Sequence, residues 1–469
     1  MTAPRQAGPR RTAPKNRPTE ISPARQAAFN ILLALERGVS HSDDLLRGRA
    51  VNALSLVDRN LATALVLGVL RWQIRLDHQL QALLKRPNAK LDAEIRIALR
   101  MGAFQILYME RIPARAAIDE SVELAKQAGH RFASAMVNAV LRKLAGSARV
   151  AFSEESAADL AMAEAHPAWM VERWAAFYGL DAARAICRHG QKQPALTVRL
   201  ASTEGDAELT QAGIVLAPGQ LLTAARAVVS GDAIATATFQ EGRVRFQDEG
   251  SQLVAELAAI NPNQSAKSIV DACAAPGGKT LILAERNPQA RILACEASPQ
   301  RLEQLRQRLA PHAGRIECRL ADVTQLGEDA AFDLALADVP CSGTGTLGRN
   351  PEIRHRLRPE DLARQAERQR AILAAALRAV RPGGRVVYST CSLEPEENEQ
   401  VVAAVLAAAP NSRPVPLGDS IDTLLRRSIL TTAGAERLQA SLTPPGALRL
   451  VPGAFNTDGF FIASIQRIS

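Results

Sequence analysis

Residues Ile269 to Thr280 read IVDACAAPGGKT, and this stretch indicates the fold more clearly than any other. Ile269 and Val270 have the character of a buried strand, the small residues after them suit a turn, and a helix is predicted to open at Gly278 or Lys279. A strand that ends in glycines at a helix start leaves backbone N–H groups free and lets a ligand approach the main chain closely. The stretch therefore predicts a nucleotide-type binding turn.

Two later tripeptides belong to the same part of the fold. Pro340-Cys341-Ser342 and Thr390-Cys391-Ser392 each follow a further predicted strand. The carboxyl ends of parallel strands meet at one edge of a sheet, where such folds hold their ligands. The sequence therefore predicts a single cleft in which the turn faces two cysteines.

Strands and helices alternate from about residue 245 onward. The predicted strands are 268–272, 291–296, 315–320, 332–338 and 384–390. The predicted helices are 278–286, 299–310 and 360–380. This alternation predicts an α/β, Rossmann-like domain with a doubly wound, mainly parallel sheet over residues 245–469. After residue 409 the sequence predicts irregular structure that ends in a strand at 459–464.

The chain before this domain is mostly helical. Apolar residues such as Leu65 and Val69 recur at helical spacing over residues 24–146 and predict an all-helical bundle of six or seven helices. Basic residues of the bundle, Arg71 among them, fit either a phosphate-contacting face or a solvated surface. Residues 1–23 are rich in Pro and Arg, which predicts a disordered basic leader.

Residues 147–244 predict a connecting segment of helices followed by a small α/β module at roughly 190–240. One helix of this segment is predicted to pack through the face formed by Trp169, Arg173, Phe177 and Leu180. The predicted strands of the module are 196–200, 213–216 and 243–246.

Composition limits the classes of function. The net charge of +9 and the pI near 9.6 fit a polyanionic partner or simply a basic surface. The six cysteines are scattered, with no C-x-x-C pair and no histidines at metal spacing, so neither a metal site nor a disulfide framework is expected. The sequence has no apolar run of membrane-spanning length and no signal peptide. We expect a cytoplasmic protein without membrane contact, and a monomer by default.

Two acidic residues indicate which kind of ligand the turn could bind. Glu296 closes the second predicted strand roughly 20 residues after the turn, where an acid accepts hydrogen bonds from a ribose diol. Asp322 follows the third strand, where it could meet an adenine amine. A ligand with a ribose and no pyrophosphate fits best, and S-adenosylmethionine is the usual one. The alternative is that both acids only cap helices in a different nucleotide-binding fold.

The segment Asp338-Val-Pro-Cys341 indicates which methyl-transfer reaction the chain could catalyse. Methyltransferases that act on exocyclic amines carry an aromatic residue after this proline, whereas this chain carries a thiol. A thiol is required when the target is C5 of a pyrimidine, because a thiolate that adds to C6 makes C5 nucleophilic enough to take a methyl group. An acid near the ring stabilises the adduct, and Asp338 fits that role. The ring must leave its stack to reach the thiol.

The other cysteines are interpreted differently. Cys187, Cys295 and Cys318 are interpreted as structural, and Cys273 as a small residue of the turn. Cys341 and Cys391 stand apart because both follow strand ends. The residues alone do not decide which of the two is the nucleophile.

Several motifs now identify a family. DACAAPGGKT, DVPCSGTGTLGRNPEIRHRL and YSTCSLEPEEN closely resemble the motifs of RNA 5-methylcytosine methyltransferases, and FQDEGSQLVA and DGFFIASIQR also resemble that family. The likeness covers about residues 160–469, and the helical 24–146 region resembles the NusB-like RNA-binding domain. The pairing of the two is typical of the RsmB (Sun/Fmu) type of bacterial 16S ribosomal RNA methyltransferase.

The resemblance implies roles for individual residues. It implies that Cys391 is the nucleophile and that Cys341 assists release of the methylated base. It implies a cofactor site formed by Cys273, Ala274, Ala275, Pro276, Gly277, Gly278, Lys279, Glu296, Asp322 and Asp338. Lys279 is also a possible contact to the base. Glu296 stands where the family more often has aspartate, and His355 where it often has tryptophan.

Three functions are therefore considered. The first is S-adenosylmethionine-dependent methylation of cytosine C5 in 16S rRNA, and the second is the same chemistry on tRNA, since only the helical domain favours rRNA. The third is a non-catalytic RNA-binding assembly factor, which the intact Cys341, Cys391 and Asp338 disfavour. DNA cytosine methylation fits poorly, because those enzymes take their nucleophile from the Pro-Cys motif.

Overall fold

The computed structural model describes residues 20–38, 41–87, 90–148, 150–202, 204–260 and 266–468. The chain divides into two compact units, residues 1–151 and residues 152–469. The leader predicted for residues 1–23 lies outside the described residues except for residues 20–23. No helix in the described ranges is both long enough and apolar enough to span a bilayer.

The first unit is helical, as predicted. Its described residues form α1 (Pro23–Glu36), α2 (Ser42–Leu46), α3 (Arg49–Asn52), α4 (Leu56–Leu83), α5 (Ala93–Tyr108), α6 (Ala114–Gln127) and α7 (Ser134–Gly146). Proline starts α1, where its missing N–H is not needed, and the Ser55 hydroxyl caps α4 by accepting a hydrogen bond from the Asp58 N–H at 3.2 Å. The prediction of six or seven helices is confirmed.

The core of this unit follows the predicted apolar stripes, with one correction among the basic residues. Leu65 and Val69 of α4 and Met101 of α5 are buried. Arg71 is also buried, and burial lowers its pKa to about 10. Arg71 therefore does not belong to a solvent-facing basic surface, because its spacing along α4 turns it towards the interior.

The second unit begins with α8 (Ala157–Ala163), α9 (Ala168–Tyr178) and α10 (Leu180–Gln191). The predicted packing face of this region is only partly right, since Trp169 and Leu180 are half-buried against the core cluster and Phe177 is not. The buried side chains of α9 are Met170, Val171 and Trp174. Phe177 is 45% exposed, and Leu180 belongs to α10 because α9 ends at Tyr178. Spacing alone could not separate two overlapping apolar stripes on one short helix.

A small antiparallel sheet follows. It contains β1 (Leu196–Leu200), β2 (Val215–Pro218), β3 (Ala225–Ser230) and β4 (Val244–Phe246) in the order β2-β3-β1-β4, with α11 (Glu204–Gln211) and α12 (Ala237–Gln240) between strands. Three of these strands overlap the predicted ones. The predicted module ended near residue 240, whereas β4 pairs with β1 beyond that point. The missed strand β3 has no polar–apolar alternation, and its pairing with β1 and β2 defines it.

The large sheet confirms the predicted doubly wound, mainly parallel architecture. Its parallel strands are β5 (Ser268–Asp271), β6 (Arg291–Glu296), β7 (Ile316–Leu320), β8 (Phe332–Asp338) and β9 (Val380–Thr390), in the order β9-β8-β5-β6-β7. Its helices are α13 (Glu249–Ala259), α14 (Gly278–Arg286), α15 (Pro299–Leu309), α16 (Ile353–Arg356), α17 (Pro359–Ala379) and α18 (Glu399–Ala408). Leu257 of α13 and Leu305 of α15 pack in one core cluster and Leu373 of α17 in another, so apolar layers cover both faces.

The carboxyl-terminal segment is ordered, which corrects the prediction of irregular structure after residue 409. It forms β10 (Ser412–Val415), α19 (Gly418–Arg426), α20 (Thr432–Gln439), β11 (Leu442–Thr443), β12 (Ala447–Leu450) and β13 (Phe460–Arg467). The predicted terminal strand is β13, which pairs antiparallel with β9 and extends the sheet. The other elements are short, and their order comes from pairing and packing against the sheet, which local sequence pattern does not record.

Candidate active site at the carboxyl edge of the sheet

The ends of adjacent strands bring the predicted residues to one edge. Asp271 ends β5, Glu296 ends β6 and Asp338 ends β8. The strand order reverses at β5, between β6 and β8, which is the position where folds of this kind bind ligands. Cys391 follows directly after β9. The predicted grouping at one edge is therefore observed for Glu296, Asp338 and Cys391, and Asp271 lies at the same edge.

The turn after β5 has the expected form. Gly277 has a φ of 98°, a conformation that favours glycine, and its N–H donates to the Ala274 carbonyl at 2.7 Å. The Ala274 N–H donates to the Cys295 carbonyl at 2.9 Å, which fixes the turn against β6. Helix α14 opens at Gly278, so the first N–H groups of a helix point out of this turn.

Asp271 is a site residue that sequence reasoning did not single out. It is buried, and its Oδ2 accepts a hydrogen bond from the Thr280 hydroxyl at 2.7 Å. Burial, reinforced by the charge of Asp338, raises its pKa to about 6. Its Oδ1 completes no hydrogen bond with the described atoms, although the Cys273 N–H is near enough to oppose the rise of the pKa. An acid at a strand end, directly before a glycine turn, was the available signal.

Glu296 and Asp322 make local hydrogen bonds. The buried carboxylate of Glu296 accepts from the Ser298 N–H at 2.9 Å and lies 3.5 Å from the guanidinium of Arg301. Exposed Asp322 accepts from the N–H and hydroxyl of Thr324 at 3.0 and 2.8 Å, capping a short helical turn. Asp322 thus caps a helical turn, whereas Glu296 holds Ser298, the residue that caps α15. A carboxylate has about four acceptor positions, so these bonds leave capacity for a ligand diol or amine.

A half-buried ion pair marks the end of β8. The Lys279 ammonium lies 2.7 Å from Asp338 Oδ2, and the Ser389 hydroxyl donates to Asp338 Oδ1 at 2.6 Å. Burial acts to lower the pKa of Lys279, but the carboxylates of Asp338 and Asp271 outweigh it and raise that pKa. Lys279 is therefore charged and held against Asp338, and Phe460 covers it with its ring centroid 5.7 Å away.

The two cysteines predicted to share a cleft are in contact. Their sulfur atoms are 3.3 Å apart. The hydrogen bond with Cys391 and burial raise the pKa of the Cys341 thiol well above its ordinary value. We call residues 339–352 the Cys341 loop and residues 391–398 the Cys391 loop.

The backbones of these loops meet at a glycine. The Gly345 N–H donates to the Cys391 carbonyl at 2.9 Å, and the Gly459 N–H donates to the Gly345 carbonyl at 2.8 Å. A Cβ atom at residue 345 would lie 2.5 Å from the Gly459 carbonyl oxygen and 2.8 Å from that of Cys391. Only glycine permits this approach.

Each loop has its own anchor, and neither anchor was predicted. Arg349 of the Cys341 loop pairs with Asp458 at 2.8 Å and with Asp248 at 3.0 Å. Glu394 of the Cys391 loop accepts from the Trp174 indole at 3.0 Å and from Arg173 at 3.1 Å. These partners are distant in sequence, so no local pattern could have revealed them.

The remaining cysteines lie elsewhere. Cys187 and Cys295 are buried, and burial raises the pKa of each to about 12. Half-buried Cys318 lies on β7, and burial raises the pKa of Cys273 in the turn. Across the described ranges, His, Cys, Asp and Glu form no group of three that could hold a metal ion. His355 lies in α16, which follows the Cys341 loop.

The residues at this edge fit S-adenosylmethionine. The glycine turn admits close approach to the first N–H groups of α14, and the Oδ1 atom of Asp271 is a buried acceptor without a completed hydrogen bond. Carboxylates of Glu296 and Asp338 end the flanking strands. Such a set suits a ligand that offers hydroxyl and ammonium donors and carries a positive charge.

Comparison with protein families assigns the three parts of the chain. The family described as 16S rRNA methyltransferase RsmB/F matches residues 257–466, the NusB family matches residues 22–146, and a ferredoxin-like domain of RsmF/B-like methyltransferases matches residues 166–225.

Whole-chain relatives agree with these matches. The Bacillus subtilis probable ribosomal RNA small subunit methyltransferase B is 34% identical, covering 94% of this chain and 98% of the relative. The Pseudomonas putida ribosomal RNA small subunit methyltransferase B is 31% identical, covering 88% and 91%.

Solved structures share the fold. The crystal structure of PH0851 has a TM-score of 0.76 at 23% identity and covers 96% of this chain and 100% of that one. NSun6 from Pyrococcus horikoshii has a TM-score of 0.53 at 18% identity, covering 64% and 97%. The chain thus belongs to the 16S rRNA methyltransferase RsmB/F family, whose cofactor is S-adenosylmethionine.

Proposed function

We propose that the chain methylates C5 of a specific cytosine in 16S ribosomal RNA through a covalent bond between Cys391 and C6 of the ring. The observation that carries the proposal is the pair of sulfur atoms, 3.3 Å apart, at the sheet edge that also carries the Lys279–Asp338 ion pair. Two thiols at this separation can act on one ring in succession.

Cys391 is the nucleophile in this proposal. Its thiol gives up its proton to solvent, its sulfur bonds to C6, and the electron pair of the C5–C6 double bond moves towards C5. Support for the assignment comes from the resemblance of the Thr-Cys motif, and the pKa of Cys341, raised by its hydrogen bond with Cys391 and by burial, agrees with it. Cys341 remains available for the later step.

Asp338 stabilises the ring during addition. Lys279 and Ser389 hold its two oxygens, so the carboxylate keeps one orientation towards a bound base. S-adenosylmethionine, when bound, supplies the methyl group as an electrophile. We propose that it is held by Cys273, Ala274, Ala275, Pro276, Gly277, Gly278, Lys279, Glu296, Asp322 and Asp338, together with Asp271.

Release of the product completes the proposed cycle. After C5 has gained the methyl group, it still carries its original proton. A base removes that proton, the electron pair restores the C5–C6 double bond, and the bond between C6 and the Cys391 sulfur breaks with the sulfur leaving as a thiolate. We propose that Cys341, in contact with Cys391, assists this step.

The proposed substrate rests on the relatives and the helical domain. Relatives named as ribosomal RNA small subunit methyltransferase B support 16S rRNA, and the net charge of +9 suits a polyanion. We propose that residues 24–146 bind RNA, that residues 245–469 carry the reaction, and that residues 147–244 link these two domains. We place the reaction in the bacterial cytoplasm. tRNA is the competing substrate.

The testing experiment incubates the protein with methyl-labelled S-adenosylmethionine and either unmodified 16S rRNA or tRNA, and then maps 5-methylcytosine. A single labelled cytosine in 16S rRNA is expected. Label in tRNA alone would keep the chemistry and overturn the substrate. No label in either RNA, with S-adenosylmethionine binding absent, would favour the non-catalytic assembly factor.

A further inference from the structure

A fully buried carboxylate joins the two cysteine loops. Glu397 has no exposed side-chain surface. Its Oε1 accepts from the Ser342 N–H at 2.8 Å and from the Gln369 amide at 2.9 Å. Its Oε2 accepts from the hydroxyls of Ser342 and Ser392, whose oxygens lie 3.0 Å apart. Ser342 and Ser392 are the residues that directly follow the two cysteines.

This arrangement uses all of the acceptor capacity of the carboxylate. An ionised carboxyl group offers about four lone-pair positions, and four donors fill them. A buried acid with this donor set is unusual, because a buried charge is normally paired with a cation. The described hydrogen bonds to Glu397 instead come from neutral groups: two from Ser342 of the Cys341 loop, one from Ser392 of the Cys391 loop and one from Gln369 of α17. Its geometry therefore depends on both loops at once.

Glu397 is itself held in place. Its carbonyl accepts from the Tyr388 hydroxyl of β9. Gln369 of α17, which donates to the carboxylate, also donates to the Pro340 carbonyl at 2.9 Å, immediately before Cys341. Asn398, the next residue, donates to the Ser392 carbonyl at 2.9 Å and accepts from Thr390. The acid thus connects β9, α17 and both loops in one buried network.

We propose that Glu397 is a positioning residue that fixes the separation of the Cys341 and Cys391 thiols, so that both act on one cytosine ring. This inference rests on the proposed function. A nucleophile and a releasing group that act in succession must keep their positions within a fraction of an ångström, and a shared carboxylate couples the two loops more directly than separate supports would. Its charge also acts on the thiols, since it is one cause of the raised pKa of Cys341, after the Cys391 hydrogen bond and burial.

The test compares Glu397→Gln and Glu397→Ala with a matched control, Glu249→Gln. Glu249 is also a buried carboxylate without a cation partner in the described contacts, and it accepts from the N–H groups of Leu221 and Leu222, each at 2.7 Å. It has no bond to either cysteine loop in the described structure. The control therefore separates the effect of losing any buried acid from the specific effect of losing Glu397.

Two readouts are measured. The first is the single-turnover rate of methyl transfer at saturating RNA and S-adenosylmethionine, with RNA affinity measured alongside. We expect Glu397→Ala to lower the rate by about 100-fold and Glu397→Gln by about 10-fold, with RNA affinity unchanged, because misplacement of reacting groups affects the chemical step. Glu249→Gln should keep the wild-type rate even where its unfolding temperature falls.

The second readout needs no RNA. The rate at which iodoacetamide alkylates Cys341 is followed against pH by peptide mass spectrometry. Glu397→Gln should move this profile to lower pH, because the carboxylate that raises the Cys341 pKa has lost its charge. Glu397→Gln also covers the case in which Glu397→Ala fails to fold. A wild-type rate with a wild-type alkylation profile in Glu397→Gln would overturn the inference, as would a rate loss equal to that of Glu249→Gln.

Failure of the proposed function is seen separately. It appears as absence of 5-methylcytosine with the wild-type protein, or as full activity of Cys391→Ala. In either case, the pH dependence of Cys341 alkylation still shows whether the Glu397 carboxylate affects the Cys341 thiol. The two ideas are therefore refuted by different measurements.

Discussion

The Cys341 loop and the Cys391 loop are alike in sequence and unlike in surroundings. Each carries a Cys-Ser pair shortly after the end of a parallel strand, and each serine donates to Glu397. The Cys341 loop is anchored by charge, through Arg349 and its two buried carboxylates. The Cys391 loop is anchored by α9, through the indole of Trp174 and the guanidinium of Arg173.

The difference teaches that the motif alone does not assign a role to a cysteine. Both dipeptides read Cys-Ser, so the residues left the nucleophile undecided. The surroundings separate them, because burial and the Cys391 hydrogen bond raise the pKa of Cys341, while Cys391 begins a loop that α9 fixes from outside through the Tyr178 hydroxyl. The predictions below test that separation, starting with the change that should matter most.

Removal of the Cys391 sulfur should have the largest effect. Cys391→Ala is expected to reduce methyl transfer by at least about 1,000-fold, because loss of a nucleophile removes the covalent route entirely. Radiolabel transfer from S-adenosylmethionine to 16S rRNA measures it. Cys318→Ala, on β7 and away from the loops, is the matched control and should stay within about twofold of wild type. Full turnover by Cys391→Ala would end the assignment.

Removal of the Cys341 sulfur should slow a different step, the release of the product. Cys341→Ala is expected to permit addition and methyl transfer but to slow release by about 100-fold, a size typical of a lost proton-transfer group. A protein–RNA adduct that resolves slowly should then appear on a denaturing gel. The double variant Cys341→Ala with Cys391→Ala should form none. An adduct that survives in the double variant would show that another residue is the nucleophile.

The anchor of the Cys391 loop predicts a smaller effect. Trp174→Phe keeps the six-membered ring but removes the five-membered ring and the N–H that donates to Glu394, a buried acid whose pKa burial already raises. An unsatisfied buried acceptor costs about 2 kcal/mol, so the unfolding temperature should fall by a few degrees. Differential scanning fluorimetry measures it, with Trp169→Phe on the same helix as control. Equal shifts for the two variants would mean that the indole hydrogen bond contributes nothing.

The sequence predicts those features of the structure that depend on neighbouring residues better than those that depend on contacts between residues far apart in the chain. The bounds of β6 and β8 were predicted to the residue, because apolar runs bounded by turns are local patterns. Short elements after residue 409 were missed, because their order comes from pairing with β9 and packing on the sheet. The shared cleft of the two cysteines was predicted by topology, since parallel strands end at one edge, but the contact between their sulfur atoms was not.

The polar supports of the site were not predictable in this way. Glu397 and Arg349 lie within two of the quoted motifs, but the sequence analysis gave neither residue a role. Their partners lie tens to hundreds of residues away, as with Trp174 and Glu394, and a hydrogen bond over that distance leaves no periodic signal. Sequence reasoning identified the chemical groups, and only the fold identifies what holds them.

The anchor of the Cys341 loop predicts the smallest effect, and one that depends on pH. Burial, together with the neighbouring charge of Asp248, raises the pKa of Asp458 from 3.8 to about 7. Below pH 4 the carboxyl group is protonated in both the folded and the unfolded chain. Between pH 4 and pH 7 the unfolded chain loses the proton while the folded one keeps it, so the free energy of unfolding falls as pH rises through this window.

Asp458→Asn removes this titration and keeps an oxygen for Arg349. Other acids with raised pKa values, such as Asp271, titrate in both proteins, so the difference between wild type and variant isolates Asp458. Relative to the variant, the wild type should lose about 1 kcal/mol of stability between pH 6 and pH 8. Unfolding temperatures measured at both pH values test this. Parallel pH profiles would mean that Asp458 is ionised in the folded protein at pH 6, and that Arg349 holds the loop through a permanent ion pair.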